Sequence, residues 1–103
     1  MTVVHFRDRK IIEDDPIQKI GQELFSLVET EGRTTILLSF SGVDFVSSAI
    51  FGKFITLDKK LKACGGRLKF SDVRPEIYEV FAIMKLNHLF DIKADEADAI
   101  AAF

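Results

Sequence analysis

The chain reads as an α/β domain, a mostly parallel sheet with helices packed on it. Three observations predict this. Strand-like and helix-like patterns alternate along the chain, and such alternation implies parallel neighbours joined by right-handed crossovers. Thr34 to Phe40, TTILLSF, holds consecutive aliphatics with little alternation, as expected of a strand covered on both faces. Glycines stand at the ends of the helical runs, at Gly32 and at Gly65-Gly66, where left-handed backbone is needed to stop a helix.

Residues 2 to 6, TVVHF, are β-branched and aromatic, and the charged RDRK separates them from Ile11-Ile12, which predicts two short strands paired as a hairpin. Asp15 reads as an N-cap and Pro16 as the first helical residue. Ile17, Ile20, Leu24, Leu27 and Val28 then recur at helical spacing up to Gly32. In the second helix Ile50, Phe54, Leu57, Leu61 and Cys64 share one face, so Cys64 is expected in the core as a small hydrophobe. Arg67 to Val73 is a further strand, with Leu68 and Phe70 alternating, and Pro75 opens a helix carrying Ile77, Val80, Phe81 and Met84. Leu89 to Ile92 adds an edge strand. Asp95 caps a last helix whose Ile100 and Phe103 face inward.

At 103 residues, with 48% apolar and 29% charged residues, the composition is that of one folded domain spanning residues 1–103. Fourteen basic residues against sixteen acidic ones give a net charge of -2, which supplies no positive field for nucleic acid. The longest apolar runs, Val80 to Met84 and Ala99 to Phe103, are far shorter than the roughly 18 residues of a membrane span, so no membrane partner is expected. The start of the chain lacks the pattern of a secretion signal, and Cys64 has no internal disulfide partner; both fit a reducing cytoplasm.

Signatures of catalysis are missing. His5 and His88 have no companion at metal-ligand spacing, and no glycine-rich phosphate loop, G-x-S-x-G or H-E-x-x-H motif occurs. No enzyme activity, metal or cofactor is expected. Glu13-Asp14-Asp15 and Asp44 each follow a strand, an arrangement open to a receiver-like reading in which Asp44 accepts a phosphoryl group beside Mg²⁺; acidic residues near a helix start also complement its dipole. Lys53, Lys59, Lys60 and Lys62 form a solvated face that could orient an acidic partner.

The stretch SGVDFVSSAIFGKF, residues 41–54, sets two serines before the second helix. With Ser47 as N-cap, its hydroxyl accepts from an early backbone N–H, and Val46 and Phe51 fall in the register of a hydrophobic staple. The same position suits a phosphate, because free N–H groups and the helix dipole favour added negative charge.

On LLSFSGVDFVSSA, GGRLKFSDVRPEIYEVF and LNHLFDI with its acidic and AI tail, the chain from about Val3 to Phe103 resembles the STAS domain family, the anti-sigma factor antagonists and their relatives. The resemblance implies the STAS fold and a non-enzymatic domain that binds partner proteins. In the antagonist branch the loop carries D-S-S-G, and a serine kinase that is also the anti-sigma factor phosphorylates its first serine. That serine maps to Ser47, with Ser48 the fallback acceptor; Val46, Ala49 and Phe51 replace the pattern's aspartate, glycine and small residue. The implied partner is such a kinase or a related regulatory protein, bound through Glu13, Val43, Asp44, Phe45, Phe51 and Lys53. An unphosphorylated scaffold binding through Val43, Phe45 and Phe51 is the alternative, and a homodimer is open.

Overall fold

A computed structural model describes all 103 residues. The elements in chain order are β1 (Thr2–His5), β2 (Lys10–Ile11), α1 (Asp14–Glu29), β3 (Thr35–Ser39), β4 (Phe45–Val46), α2 (Ala49–Ala63), β5 (Arg67–Ser71), α3 (Pro75–Ile83), β6 (Asp91–Lys93) and α4 (Glu96–Ala101). Four strands form a sheet in the order β1-β3-β5-β6, and every neighbouring pair is parallel. β3 is thus interior, as its unbroken aliphatic run predicts, and Ile36, Leu37 and Leu38 have no solvent exposure.

The predicted hairpin does not form. β1 pairs with β3, Thr2 opposite Ile36, and β2 pairs with β4 in a separate parallel ribbon, Ile11 opposite Val46. A β-branched run specifies a strand but not its partner. Here each strand finds a distant one, and RDRK turns the chain from one sheet to the other.

Alternation along the strands sorts side chains onto two faces. Ile36, Leu38, Phe40, Leu68 and Phe70 join Ile17, Leu24, Phe54, Leu57, Ile77 and Phe81 in one core beneath α1, α2 and α3. Phenylalanine rings dominate its centre, with Phe70 edge-on to Phe54 at 5.3 Å and to Phe81 at 5.4 Å, a geometry that adds about 0.5–1.5 kcal/mol per pair beyond burial. α4 lies on the other face. There Ala99 is buried, Ile100 is 44% exposed, and Phe103 is half-buried with the Lys69 ammonium 5.2 Å from its ring centre. A six-residue helix turns only one narrow stripe inward, and Ala99 rather than Ile100 occupies it.

Two further ends depart from expectation. α1 begins one residue before Asp15, with Glu13 as its extended N-cap and no side-chain cap; three acidic residues at one end give the dipole its complement without a hydroxyl cap. Cys64 is exposed. The helix stops at Ala63 and the backbone turns away at Gly65, φ +75°, so the thiol leaves the apolar stripe and donates to the Leu61 carbonyl at 3.2 Å. Gly66 then passes so close to Thr34 that a Cβ would lie 2.5 Å from the Thr34 carbonyl oxygen.

Candidate functional site

The β2–β4 ribbon builds the site. The Ser47 N–H donates to the Ile11 carbonyl at 2.7 Å, and the Asp44 N–H donates to the Arg9 carbonyl at 2.7 Å, so the segment before α2 is stitched to the segment before α1. Both follow the carboxyl ends of parallel strands, the end at which open α/β sheets present their variable loops. Glu13, which is exposed, stands at the rim of this surface.

Ser47 is half-buried and Ser48 exposed. The structure places Ser48, not Ser47, next to the first helical residue, in helical backbone conformation (φ −59°, ψ −21°) and without a side-chain cap. The Ser47 hydroxyl accepts instead from the Ala49 N–H at 3.3 Å, a long bond that leaves the oxygen lightly held. No acidic residue occupies the first turn of α2. The early N–H groups therefore present an uncompensated positive end beside two accessible hydroxyls.

The remaining expected contact residues divide. Phe45 is 58% exposed, with the Lys10 ammonium 5.6 Å from its ring centre, and Ile12, the residue after β2, is 51% exposed. Val43 and Phe51 have no exposure and cannot meet a partner. Phe51 packs edge-on to Phe81 at 4.7 Å and to Phe54 at 5.9 Å; α2 is covered by α3 as well as by the sheet, so its apolar arc is wider than the single stripe read from spacing. Val46 is half-buried against the same core. Lys53 is engaged within the domain, donating to Gln18 Oε1 at 2.9 Å, and its stem fills the space over Gly21. It ties α2 to α1 rather than waiting for an acidic partner.

Asp44 is not a free acceptor. Arg9 Nε donates to its Oδ2 at 2.8 Å, and Arg74 holds Oδ1. Hydrogen bonding from Arg9, and then from Arg74, keeps this carboxyl below the usual carboxylate range. The clamp joins the β1–β2 turn, the β3–β4 loop and the start of α3. No group of three acidic, histidine or cysteine side chains comes together in a geometry that could hold a metal ion, so the receiver-like reading of Asp44 with Mg²⁺ lacks its geometry. Arg9, Arg74, Lys10 and Ile12 are the site residues that sequence reasoning passed over. Arg9, Lys10 and Ile12 lie in RDRKII, where RDRK read as a connector and Ile11-Ile12 as a strand, and Arg74 precedes the Pro75 that opens a helix; neither stretch shows which distant segment it meets.

A sequence model described as STAS domain matches residues 16–99. The chain belongs to the STAS domain family. This STAS domain is 25% identical over 93 residues to a Bordetella bronchiseptica protein named as an anti-sigma factor antagonist, BtrV, with 90% of this chain and 79% of that protein covered. Its fold is that of an anti-sigma-factor antagonist (STAS) domain protein from Planctomyces limnophilus, with a TM-score of 0.87 at 17% identity over 97% of this chain and 87% of that one. The phosphorylated form of the Bacillus cell fate determinant SpoIIAA gives a TM-score of 0.74 at 22% identity, covering 98% and 89% of the two chains. No helix of this STAS domain is long and apolar enough to cross a membrane.

Proposed function

We propose that this domain is a non-enzymatic anti-sigma factor antagonist that acts in the cytoplasm. It docks on a serine kinase that is also the anti-sigma factor, and phosphorylation of Ser47 switches it. The observation that carries this reading is the pair of accessible hydroxyls at the uncompensated start of α2, flanked by the exposed ring of Phe45. Phe45 and Ile12 supply an apolar anchor, and Lys10 and Glu13 supply charge around it. A phosphate on Ser47 adds about −1.5 to −2 charges. Next to α2 that charge meets the positive end of the helix dipole, while on the docking surface it reverses complementarity with a partner that accepted a neutral hydroxyl.

Val46 favours one second reading. It puts a methyl-bearing side chain, half-buried in the core, where the antagonist pattern has a carboxylate beside the acceptor. An interaction module that binds through Phe45 and is never phosphorylated would have no use for that carboxylate.

The test is incubation with candidate kinase anti-sigma factors and ATP. Acid-stable phosphate mapped to Ser47, lost in Ser47→Ala and kept in Ser48→Ala, is the expected result, together with weakened partner binding by Ser47→Asp. Tight binding without transfer selects the scaffold. Unchanged affinity in both Ser47→Asp and Phe45→Ala rejects this surface as the switch.

A further inference from the structure

We propose, resting on the reading of Ser47 as the switch, that Lys10 is the counter-ion within the domain for a phosphate on Ser47. On phosphorylation its ammonium leaves the Phe45 ring for that phosphate.

The β2–β4 ribbon fixes which side chains share its outer face. Ile11 is fully buried and Val46 packs against the core, and side chains alternate along a strand. Lys10 and Ile12 on one strand, and Phe45 and Ser47 on the other, therefore turn outward. Lys10 stands opposite Phe45, and the bond from the Ser47 N–H to the Ile11 carbonyl carries the same register one step further. Ser47 is then diagonal to Lys10. Two residues along a parallel strand and one strand across amount to about 8 Å between Cα atoms, a gap that a lysine and a phosphoserine span together.

Lys10 is also the available cation. Arg9 and Arg74 hold Asp44, and Lys53 donates to Gln18. Arg7 lines the groove beside α1. Lys10 takes part in none of the domain's ion pairs; its ammonium rests over the Phe45 ring, 5.6 Å from the centre. A ring quadrupole attracts an exposed ammonium weakly, whereas a phosphate offers up to two full charges and three acceptor oxygens. Glu13, Asp14 and Asp15 follow Ile12 and would repel the phosphate, so among the side chains of β2 and the turn after it the compensation falls to Lys10.

The exchange changes two things at once. The Phe45 ring loses the ammonium over its face, and the docking surface loses a free positive charge. A partner that fits the ring with its ammonium, and sets a carboxylate against Lys10, meets neither afterwards.

The experiment installs phosphoserine at residue 47 during translation of the full chain, so that no kinase is needed. In NMR spectra of the unmodified domain the Lys10 ε-methylene protons carry the ring-current shift of Phe45, measured against Phe45→Leu. Phosphate at residue 47 is expected to return them to the position they take in Phe45→Leu. The phosphorus titration midpoint is expected to rise by about 0.2–0.7 of a pH unit in Lys10→Met, the equivalent of one exposed ion pair, because a nearby cation favours the charged phosphate. Lys10 is exposed, so the variant folds, which circular dichroism checks. Phosphoserine at residue 48 is the control: Ser48 is already in helical backbone and leaves the ribbon, so its phosphate should leave Lys10 over the ring. Lys10 resonances unmoved by phosphate at residue 47, a midpoint unchanged in Lys10→Met, or an equal response to phosphate at residue 48 overturns the proposal. Kinase transfer to Ser47 alongside any of these three results would keep the switch and remove Lys10 from it.

Discussion

Phe51→Ala separates a packing role from a docking role. The Phe51 ring is wholly buried and touches Phe81 at 4.7 Å and Phe54 at 5.9 Å, both edge-on. Truncation removes the ring's transfer free energy and two aromatic contacts, and it leaves a cavity among rings held by α2 and α3. Replacing a buried phenylalanine by alanine costs about 3–5 kcal/mol. Against the roughly 5–15 kcal/mol that holds a typical domain together, that is a large share. Equilibrium urea unfolding, followed by tryptophan-independent circular dichroism, measures it, with an unchanged m-value confirming that both states keep their extent. Phe45→Ala is the control. With Phe45 58% exposed, its stability should change by less than about 1 kcal/mol, while partner binding weakens. A loss below about 1 kcal/mol for Phe51→Ala would refute the packing argument and return this ring to the surface.

Other perturbations follow from the same structure. Gly66→Ala forces a Cβ to within 2.5 Å of the Thr34 carbonyl oxygen and 2.9 Å of Leu61 Cδ2; because the first neighbour is backbone, a loss of about 1–3 kcal/mol is expected, and an unchanged unfolding midpoint would contradict the close approach. Asp44, Asp91 and Glu96 are all held below their ordinary range, by hydrogen bonds first from Arg9, Lys69 and Ser39 respectively. Depressed folded-state values stabilise above the unfolded carboxylate range and lose that contribution as pH falls through the folded values. Stability should therefore decline below about pH 4, less steeply in Asp44→Asn, and parallel acid limbs for the two proteins would remove Asp44 from the account. Cys64, exposed at the end of α2, should react with a thiol reagent in the native state at close to the rate of the unfolded chain; strong native protection would restore it to the core.

Much of this architecture is legible in the sequence because burial writes itself into periodicity. TTILLSF announces an interior strand, and the spacings of α1 and α2 give their inward faces. What escapes has a common cause: it depends on which distant segment comes alongside. β1 and β2 look like partners because they are near in sequence, yet parallel pairing joins each to a strand beyond α1. Phe51 falls outside the stripe drawn from Ile50, Phe54, Leu57 and Leu61 because a second neighbour, α3, widens the buried arc. At the site, the two serines and Phe45 stand out in the sequence. Arg9 and Arg74 do not, since their common partner is one carboxylate that three separated turns bring between them.

The wholly parallel sheet also governs how the domain is made. No strand can pair with a neighbour through a tight hairpin, because every parallel pairing needs a crossover, so Thr2 must wait for Ile36, and Thr35 for Arg67. Each pairing closes a long loop before any contact rewards it. Folding should consequently be slower than that of a helical bundle of equal size, and a chain emerging from the ribosome keeps TVVH bare until the segment after α1 has been synthesised.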